Sequence, residues 1–303
     1  MKKINYLLAM VILIIALSCS KDSELEKSFG NLTIKITDAP MPYSQFMEVN
    51  VTIDKMEIGN STDMNSFMVL TDQQMKFNML ELVNGLTETM VNTPIPEGEY
   101  NTIRLYISLT EMIMKNGDSF SYNMMTEGFL DNHMMQNGVM INGDTRTVDI
   151  NLELPLMVSD GSQSECLLDI DIDGSFMLED VIYVNMGMNG GMMMNMSGFT
   201  FMPNMRFVDM STTGTIMGTV HSDTGNVENA TITLMHDGSN YTSTHTDANG
   251  HFSLIGIPHG VYMINAEAEG FIMSPTENDM NMGEINMMDM GSLNIDFMMQ
   301  SEN

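Results

Sequence analysis

Hydrophobic and polar residues alternate with a period of two along most of the chain beyond residue 30, and helical periodicity is scarce. The pattern is clear in "NLTIKIT", "MEVNVTI", "NTIRLYI" and "TVDINLEL", and turn-forming stretches such as "PIPEGEY" and "INGDT" separate such runs. In the last run Val148, Ile150, Leu152 and Leu154 would share one face. Only "KFNMLELVNG" and "SLTEMIMKNG" could hold a short helical turn. The pattern predicts half-buried strands of an all-β sandwich.

A second series of short strands begins at Thr215, after the small polar linker "STTG". Its members are "GTIMGTV", "ATITLM", "YTSTHT", "HFSLIGI", "VYMINAEA" and "SLNIDFM", with turns between them. We place the boundary near residue 212. The chain is therefore expected to contain two β-sandwich domains in tandem, at residues 30–211 and 213–300.

The first residues of the chain predict the location of the protein in the cell. Lys2 and Lys3 precede the apolar run "YLLAMVILIIALS", which is too short to span a bilayer comfortably. The run ends in "ALSC", which resembles a bacterial lipobox, so that residues 1–18 would be a lipoprotein signal peptide and Cys19 the acylated residue. Residues 19–29 would form a flexible tether. The alternative is an ordinary signal peptide with an incidental cysteine.

Composition excludes some partners. The net charge is −29 with only 11 Lys and Arg, and no basic run is available to neutralise phosphates, so nucleic acid is not expected as a partner. The acidic residues are scattered through apolar segments, which is typical of solvated faces of folded elements. Cys166 would be left alone once Cys19 carries lipid, so no disulfide framework is expected. Its place in "ECLLDI" indicates a small buried hydrophobe.

The second unit resembles the carboxypeptidase regulatory-like domain, a transthyretin-like β-sandwich. The resemblance is carried by "GTVHSDTGNVENATITL" and "HTDANGHFSLIGIPHGVYMINAEAEGF". In "DANG" the Asp and Asn side chains can bond local backbone, and Gly250 is free to adopt positive φ. The resemblance implies a structural or interaction module without peptidase machinery, sometimes grouped with carbohydrate-binding folds.

The first unit resembles the bacterial lipoprotein family catalogued as domain of unknown function 4382. The matching segments run in family order: "LTIKITDAPMPYSQFMEVNVTIDKMEI", "FNMLELVNG", "PIPEGEYNTIRLYI", "LLDIDIDGSF" and "FMPNMRFV". The resemblance implies a β-sandwich and a cell-envelope location, and it names no reaction or ligand. The sequence also contains no HExxH, GxSxG, P-loop or dinucleotide fingerprint, so neither an enzyme nor a cofactor is expected.

The string "DIDIDGSFMLED" offers a candidate calcium site. Asp169, Asp171 and Asp173 followed by Gly174 match the opening of a calcium-binding loop. However, no flanking helices are indicated, and the string also fits a strand with Leu168, Ile170 and Ile172 pointing inward and the aspartates outward. We favour the exposed acidic strand and keep calcium as the alternative.

Methionine offers a candidate soft-metal site. The chain has 39 Met residues, and "MGMNGGMMMNMSGF" concentrates six of them, at Met186, Met188, Met192, Met193, Met194 and Met196. Thioethers select Cu(I). Yet Met also occupies predicted strand positions throughout, such as 47, 56, 79, 217, 263 and 298, where it replaces Leu or Ile at similar volume. The cluster is therefore interpreted mainly as an exposed loop, and alternatively as a copper or silver site, an adaptable contact surface or an oxidant trap.

Together these features predict a non-catalytic, lipid-anchored protein of the Gram-negative outer membrane, exposed at the cell surface. The membrane partner would be engaged through the lipid on Cys19. The two sandwiches would bind or scaffold a glycan or an envelope protein, and soft-metal handling by the methionines is the rival function.

Overall fold

The computed structural model describes residues 28–39, 45–124, 133–134, 139–142, 147–185, 192–273, 283–288 and 291–302. The predicted signal peptide and Cys19 lie outside these ranges, as do Met186 and Met188. Within them, no helix has the length and apolar character needed to cross a membrane.

Strands dominate the described chain up to residue 209, as the period-two alternation predicts. The "KFNMLELVNG" segment does contain a single 3-10 turn, at Met79–Glu81, whereas "SLTEMIMKNG" is the continuation of a strand. The first-domain elements are β1 (Phe29–Ala39), β2 (Phe46–Asn60), β3 (Asp63–Thr71), β4 (Met75–Asn78), β5 (Glu88–Pro96), β6 (Gly98–Met114), β7 (Ser119–Asn123), β8 (His133–Met134), β9 (Val139–Asn142), β10 (Thr147–Val158), β11 (Gln163–Asp171), α1 (Ile172–Ser175), β12 (Phe176–Glu179), β13 (Ile182–Asn185), β14 (Met192–Asn195), β15 (Gly198–Phe201) and β16 (Met205–Asp209).

These strands form two main sheets. Sheet I has the order β16-β11-β1-β5, with β1 and β11 parallel and the other neighbours antiparallel. Sheet II has the order β3-β2-β6-β10-β9-β8, with β4 added to β2 and β7 added to β6. Between β11 and β16 the chain forms two further antiparallel pairs, β12 with β15 and β13 with β14.

The second domain starts immediately after a 3-10 turn at Met210–Thr212, which the Asp209 side chain caps by accepting from the backbone N–H of Ser211. Its strands form two further sheets, one built around β17 and one with the order β20-β19-β22-β24. They are β17 (Thr213–Ser222), β18 (Gly225–Asn226), β19 (Thr231–His236), β20 (Ser239–His245), β21 (His251–Pro258), β22 (Gly260–Glu267), β23 (Phe271–Met273), β24 (Gly283–Met287), β25 (Ser292–Asn294) and β26 (Phe297–Ser301). The predicted all-β class with two sandwiches is confirmed.

Each sandwich has its own hydrophobic core, because inward-facing residues of its two sheets meet in the middle. The first core includes Ile34, Ile103 and Leu168, and the second includes Ile232, Phe252 and Ile264. Leu167 and Val208 are also buried but belong to neither core. They lie on the outer face of sheet I, and their burial shows that this face is covered.

The predicted face of β10 is wrong at Leu154. Val148, Ile150 and Leu152 are buried as expected, but Leu154 is 64% exposed. The pairing of β10 with β6 stops at Asn151 and resumes at Leu156, opposite Thr102 and Tyr100, so that residues 152–155 oppose a single residue of β6. This irregular bulge of four residues, called the β10 bulge below, turns Leu154 outward.

The methionines occupy both environments. Met56 and Met79 are fully buried, in agreement with their interpretation as aliphatic replacements. Met47, Met217 and Met298 are exposed, so the same interpretation is wrong for these three. At Met47 the cause is a register shift between β2 and β6, which makes the neighbouring Phe46 the buried residue.

Candidate functional site

A buried ion pair lies on the outer face of sheet I. Asp169 on β11 and Arg206 on β16 are directly opposite in the antiparallel register, and Nε of Arg206 donates to Oδ2 of Asp169 at 2.7 Å. The two side chains are only 4% and 8% exposed. A pair on the outside of a sheet can be this buried only if another layer covers it, and the second domain supplies that layer.

The guanidinium of Arg206 joins the two domains. Its Nη2 donates to the carbonyl of Ile255 at 3.0 Å and its Nη1 donates to the carbonyl of Gly256, both on β21. It also lies over the ring of Tyr241 on β20, 5.0 Å from the ring centroid. The hydroxyl of Thr242 donates to Oδ2 of Asp169 at 3.1 Å. One arginine therefore contacts both sheets of the second domain.

Close packing surrounds this ion pair. Gly256 has φ +66°, and a Cβ there would lie 2.8 Å from Cδ2 of Leu167 and 3.1 Å from Cγ2 of Val208. A residue with a side chain would be displaced from sheet I, so glycine is needed both for the backbone conformation and for the approach.

A second contact between the domains uses Asn84, which follows the 3-10 turn of the first domain and has φ 59°. Its side-chain oxygen accepts from the backbone N–H of Ser253 at 2.7 Å, and its Nδ2 donates to the carbonyl of His251 at 3.3 Å. The carboxamide thus pairs with β21 as a neighbouring strand would. The domains are held together by β21 at two separate places.

Electrostatics favour the charged form of Arg206 in spite of burial. Burial alone would lower the pKa of Arg206, but Asp169 and Tyr241 raise it above its ordinary value. The charge on Arg206 is therefore kept and is satisfied by Asp169 and by the two carbonyls. Removing one partner of such a pair leaves a buried charge uncompensated.

A groove follows the line where the domains meet. Its larger part has a volume of about 490 Å³ and a smaller part of about 180 Å³, and Leu152, Glu153, Phe207 and Val208 line both. We call this continuous depression the junction groove. The β10 bulge and β16 form its first-domain side. Its other lining residues are Asn151, Leu154, Arg206, Asp209, Thr212, Thr213, Tyr241, Pro258 and His259.

The predicted exposed acidic strand face is wrong for Asp169 and Asp171. Asp169 binds Arg206, and Asp171 caps α1 by accepting from the N–H of Gly174 at 3.0 Å and from Nδ2 of Asn204 at 2.7 Å. Burial raises the pKa of Asp171 to about 6, against the opposing effect of the Gly174 hydrogen bond. The second domain and α1 cause this burial, and neither is visible in the alternation.

Asp173 is the member of the three that stays exposed. Partial desolvation of the Asp173 carboxyl raises its pKa, and His245 of the second domain lowers it. Two of the three carboxylates already have partners within the protein, since Asp169 is bound by Arg206 and Asp171 by Gly174 and Asn204. In the ranges that the structure describes, no three His, Cys, Asp or Glu side chains are grouped so that they could hold a metal ion.

The methionine cluster is partly a strand and partly core, not an exposed loop throughout. Met192, Met193 and Met194 belong to β14, which pairs with β13. Met194 is fully buried and Met196 is 8% exposed, and both belong to the first hydrophobic core. Met186 and Met188 lie outside the described residues. The structure thus gives two of the six sulfur atoms a packing role and leaves copper binding by the others as a prediction.

Cys166 is fully buried, and burial raises the pKa of its thiol well above the ordinary range. Arg206 is the important residue that the sequence interpretation missed. Its signal was a cation within the apolar string "NMRFV", matched by an aspartate within the apolar string "CLLDI". A lone charge in each of two buried strands is the pattern of a buried pair.

Comparison with known families gives two matches in tandem. The family model described as domain of unknown function DUF4382 matches residues 29–193, which is just over half of the chain. The one described as carboxypeptidase regulatory-like domain matches residues 215–289. Both agree in order with the resemblances in the sequence. Among curated proteins, no relative matches the chain.

Solved structures give weak, extended similarities. The Bacillus anthracis TIE protein is 7% identical, with 94% of this chain and 42% of that chain covered at a TM-score of 0.26. The minor pilin GBS52 of Streptococcus agalactiae is 10% identical, with 89% and 96% covered at a TM-score of 0.25. The shaft pilin SpaA of Lactobacillus rhamnosus GG is 10% identical, with 91% and 98% covered at a TM-score of 0.25. This chain thus spans less than half of the TIE protein.

Proposed function

The chain belongs to the family of the domain of unknown function DUF4382, and from this premise we propose that it is a non-catalytic, lipid-anchored protein of the cell envelope. Cys19 carries the lipid, and the protein is held in the outer membrane and faces outward. The two sandwiches bind or scaffold a glycan or an envelope protein. The carboxypeptidase regulatory-like second domain supports an interaction role, because it adds a second all-β module without adding a motif for catalysis.

The observation that carries this proposal is the buried contact of Arg206 with both domains. A flexible linker would let each sandwich act alone, but here Arg206 of the first domain donates to two β21 carbonyls of the second, and Thr242 of the second donates to Asp169 of the first. The pair therefore behaves as one unit that presents a composite surface. Binding sites occur preferentially where domains meet, and the junction groove lies there.

The anchor is tested with Cys19→Ala in cells that make the full chain. We expect the wild-type protein in the outer-membrane fraction with incorporated radiolabelled palmitate, and the variant unlabelled and released. Cys166→Ala is the matched control, because it removes the other cysteine and should leave lipid labelling intact. Continued labelling of the Cys19 variant would refute lipidation at that residue.

Surface exposure is tested separately by adding protease to intact cells. Loss of the wild-type protein while a periplasmic marker survives is the expected result. Protection of the protein in intact cells, followed by digestion after lysis, would place it on the inner side of the membrane and contradict outward display.

A further inference from the structure

The β10 bulge forms a ridge at the junction groove that carries an exposed apolar side chain next to an exposed carboxylate. Leu154 is 64% exposed, the adjacent Glu153 is also exposed, and Pro155 follows. Neither β6 nor β9 pairs with residues 152–155 in the described chain. The ridge therefore presents an apolar side chain, a carboxylate and backbone groups that have left the sheet ladder, which suits an extended partner.

The charge that remains in the groove is negative. Arg206 is its only arginine or lysine among the described lining residues, and that charge is buried against Asp169. Glu153 and Asp209 supply carboxylates, and His259 supplies an imidazole. No described lysine or arginine lies within ion-pair distance of Glu153. The whole chain, at −29, adds an attraction for cations.

The floor and walls between these charges are apolar. Leu152, Phe207 and Val208 of the first domain and Pro258 of the second line the groove. A volume of about 490 Å³ is within the range of ligand sites. An occupant that matches both features carries positive charges next to apolar side chains.

The aromatic rings near the groove argue against a sugar. Sugars commonly stack on an open aromatic face, but Arg206 covers Tyr241, and the ring centroid of Tyr262 lies 5.5 Å from that of Tyr241. His236 packs against both tyrosines. These rings pack against one another and against Arg206, so they offer no open aromatic face for a sugar to stack on.

We propose that the junction groove binds an extended, basic peptide segment of a partner protein. Lysine or arginine side chains of the segment meet Glu153 and Asp209, and an apolar side chain lies on Leu154. This inference rests on the proposed function and narrows its partner from a glycan or protein to a basic segment of a protein.

The test measures fluorescence anisotropy of labelled heptapeptides in which Lys or Arg alternates with Val or Leu. The mature protein with both domains is used in detergent, and the same peptides with Glu in place of the basic residues are the control probes. We expect saturable binding of the basic peptides alone. Glu153→Gln and Asp209→Asn should each weaken it about threefold to fivefold, as expected for an exposed ion pair. Leu154→Ser should also weaken it, and high salt should reduce it.

Glu269→Gln is the matched control variant. Glu269 is an exposed acid beyond the far end of β22 from Pro258 and His259, and its removal changes the net charge equally. Equal weakening by Glu269→Gln and Glu153→Gln would show a general attraction of basic peptides to an acidic protein. That result would overturn the proposal that the junction groove is the binding site. Saturable binding of neutral maltohexaose in place of the peptides would overturn the peptide class in favour of a glycan.

No saturable binding of any basic peptide would also overturn the inference. In that case the anchoring and protease experiments still decide the proposed function, because they do not depend on the groove. Circular dichroism of each variant confirms that Glu153, Leu154 and Asp209 have been changed without loss of the fold.

Discussion

Gly256 of the second domain packs so closely on Leu167 of the first that a Cβ on the glycine would lie 2.8 Å from Cδ2 of the leucine. Gly256→Ala should therefore destabilise the protein twice over. Positive φ costs alanine about 1–2 kcal/mol, and overpacking at the junction adds about 1–3 kcal/mol. Thermal unfolding followed by circular dichroism measures the loss, and the domains should begin to melt separately.

Gly238→Ala separates these two causes. Gly238 has φ +79° in the turn between β19 and β20, and a Cβ added there would have open space around it, with nothing within 4 Å. It should show the backbone cost alone, about 1–2 kcal/mol. Equal destabilisation by the two alanines would mean that the contact with Leu167 does not matter.

Arg206→Ala should be severe, because it leaves Asp169 buried without its charge partner. We expect a loss of about 3–5 kcal/mol in the free energy of unfolding. Lys76→Ala is the comparison, since Lys76 is half exposed and pairs with Glu111 at 2.7 Å on the surface, and it should cost at most about 1 kcal/mol. Chemical denaturation measures both.

The double variant Arg206→Met with Asp169→Leu sharpens this prediction. It removes both charges together, so much of the stability lost in Arg206→Ala should return. If the double variant is as unstable as the single one, the hydrogen bonds of Arg206 to the β21 carbonyls matter more than its charge.

Asp171 predicts a pH dependence of stability. Its pKa is raised to about 6 in the folded protein, from 3.8 in an unfolded chain, so the folded state binds its proton more tightly. The stabilisation is complete below about pH 3.8 and is lost as the pH rises through about 6, by up to about 3 kcal/mol. Unfolding free energies of the wild type and Asp171→Asn between pH 4 and 7 should therefore diverge across this window.

The sign of that divergence is the test. Relative to Asp171→Asn, the wild type should lose stability with rising pH, because Asp171 becomes a largely desolvated carboxylate. A wild type that gains on Asp171→Asn as the pH rises would contradict the desolvation of Asp171.

The methionine cluster gives the fourth prediction. Met194→Leu and Met196→Leu should cost less than about 1.5 kcal/mol each, because both side chains are packed in the first core and leucine has a similar volume. Neither change should alter Cu(I) uptake measured against a competing chelator. Stoichiometric sub-micromolar uptake that vanishes when Met186, Met188, Met192 and Met193 become leucine would favour the soft-metal function instead.

The sequence predicted the parts of the fold that depend on local alternation. Val148 and Ile150 were placed correctly, and both family resemblances were confirmed in order. The predicted inward orientation of Leu154 was wrong, because a bulge changes which residues face inward without changing the sequence pattern. Period-two alternation cannot report an interruption of pairing when the residues inside it continue to alternate.

The prediction that Asp169 is exposed was wrong for a different reason. Alternation places a residue on one face or the other, but it does not say whether the second face is covered. On β11 every residue from Cys166 to Ile170 is buried, because sheet II covers one face and the second domain covers the other. The junction groove depends on the β10 bulge and on the contact between the two domains. Neither feature could be predicted from the sequence of a single strand.

The covered outer face of sheet I has a consequence for how the protein is made. Synthesis completes the first sandwich at Asp209 before any strand of the second exists. During that interval the outer face of sheet I is exposed to water, including Leu167, Val208 and the Asp169–Arg206 pair. Such exposed apolar surface can associate with other chains. The second sandwich therefore covers this face once it has folded, and a chain truncated after Asp209 would be prone to aggregate.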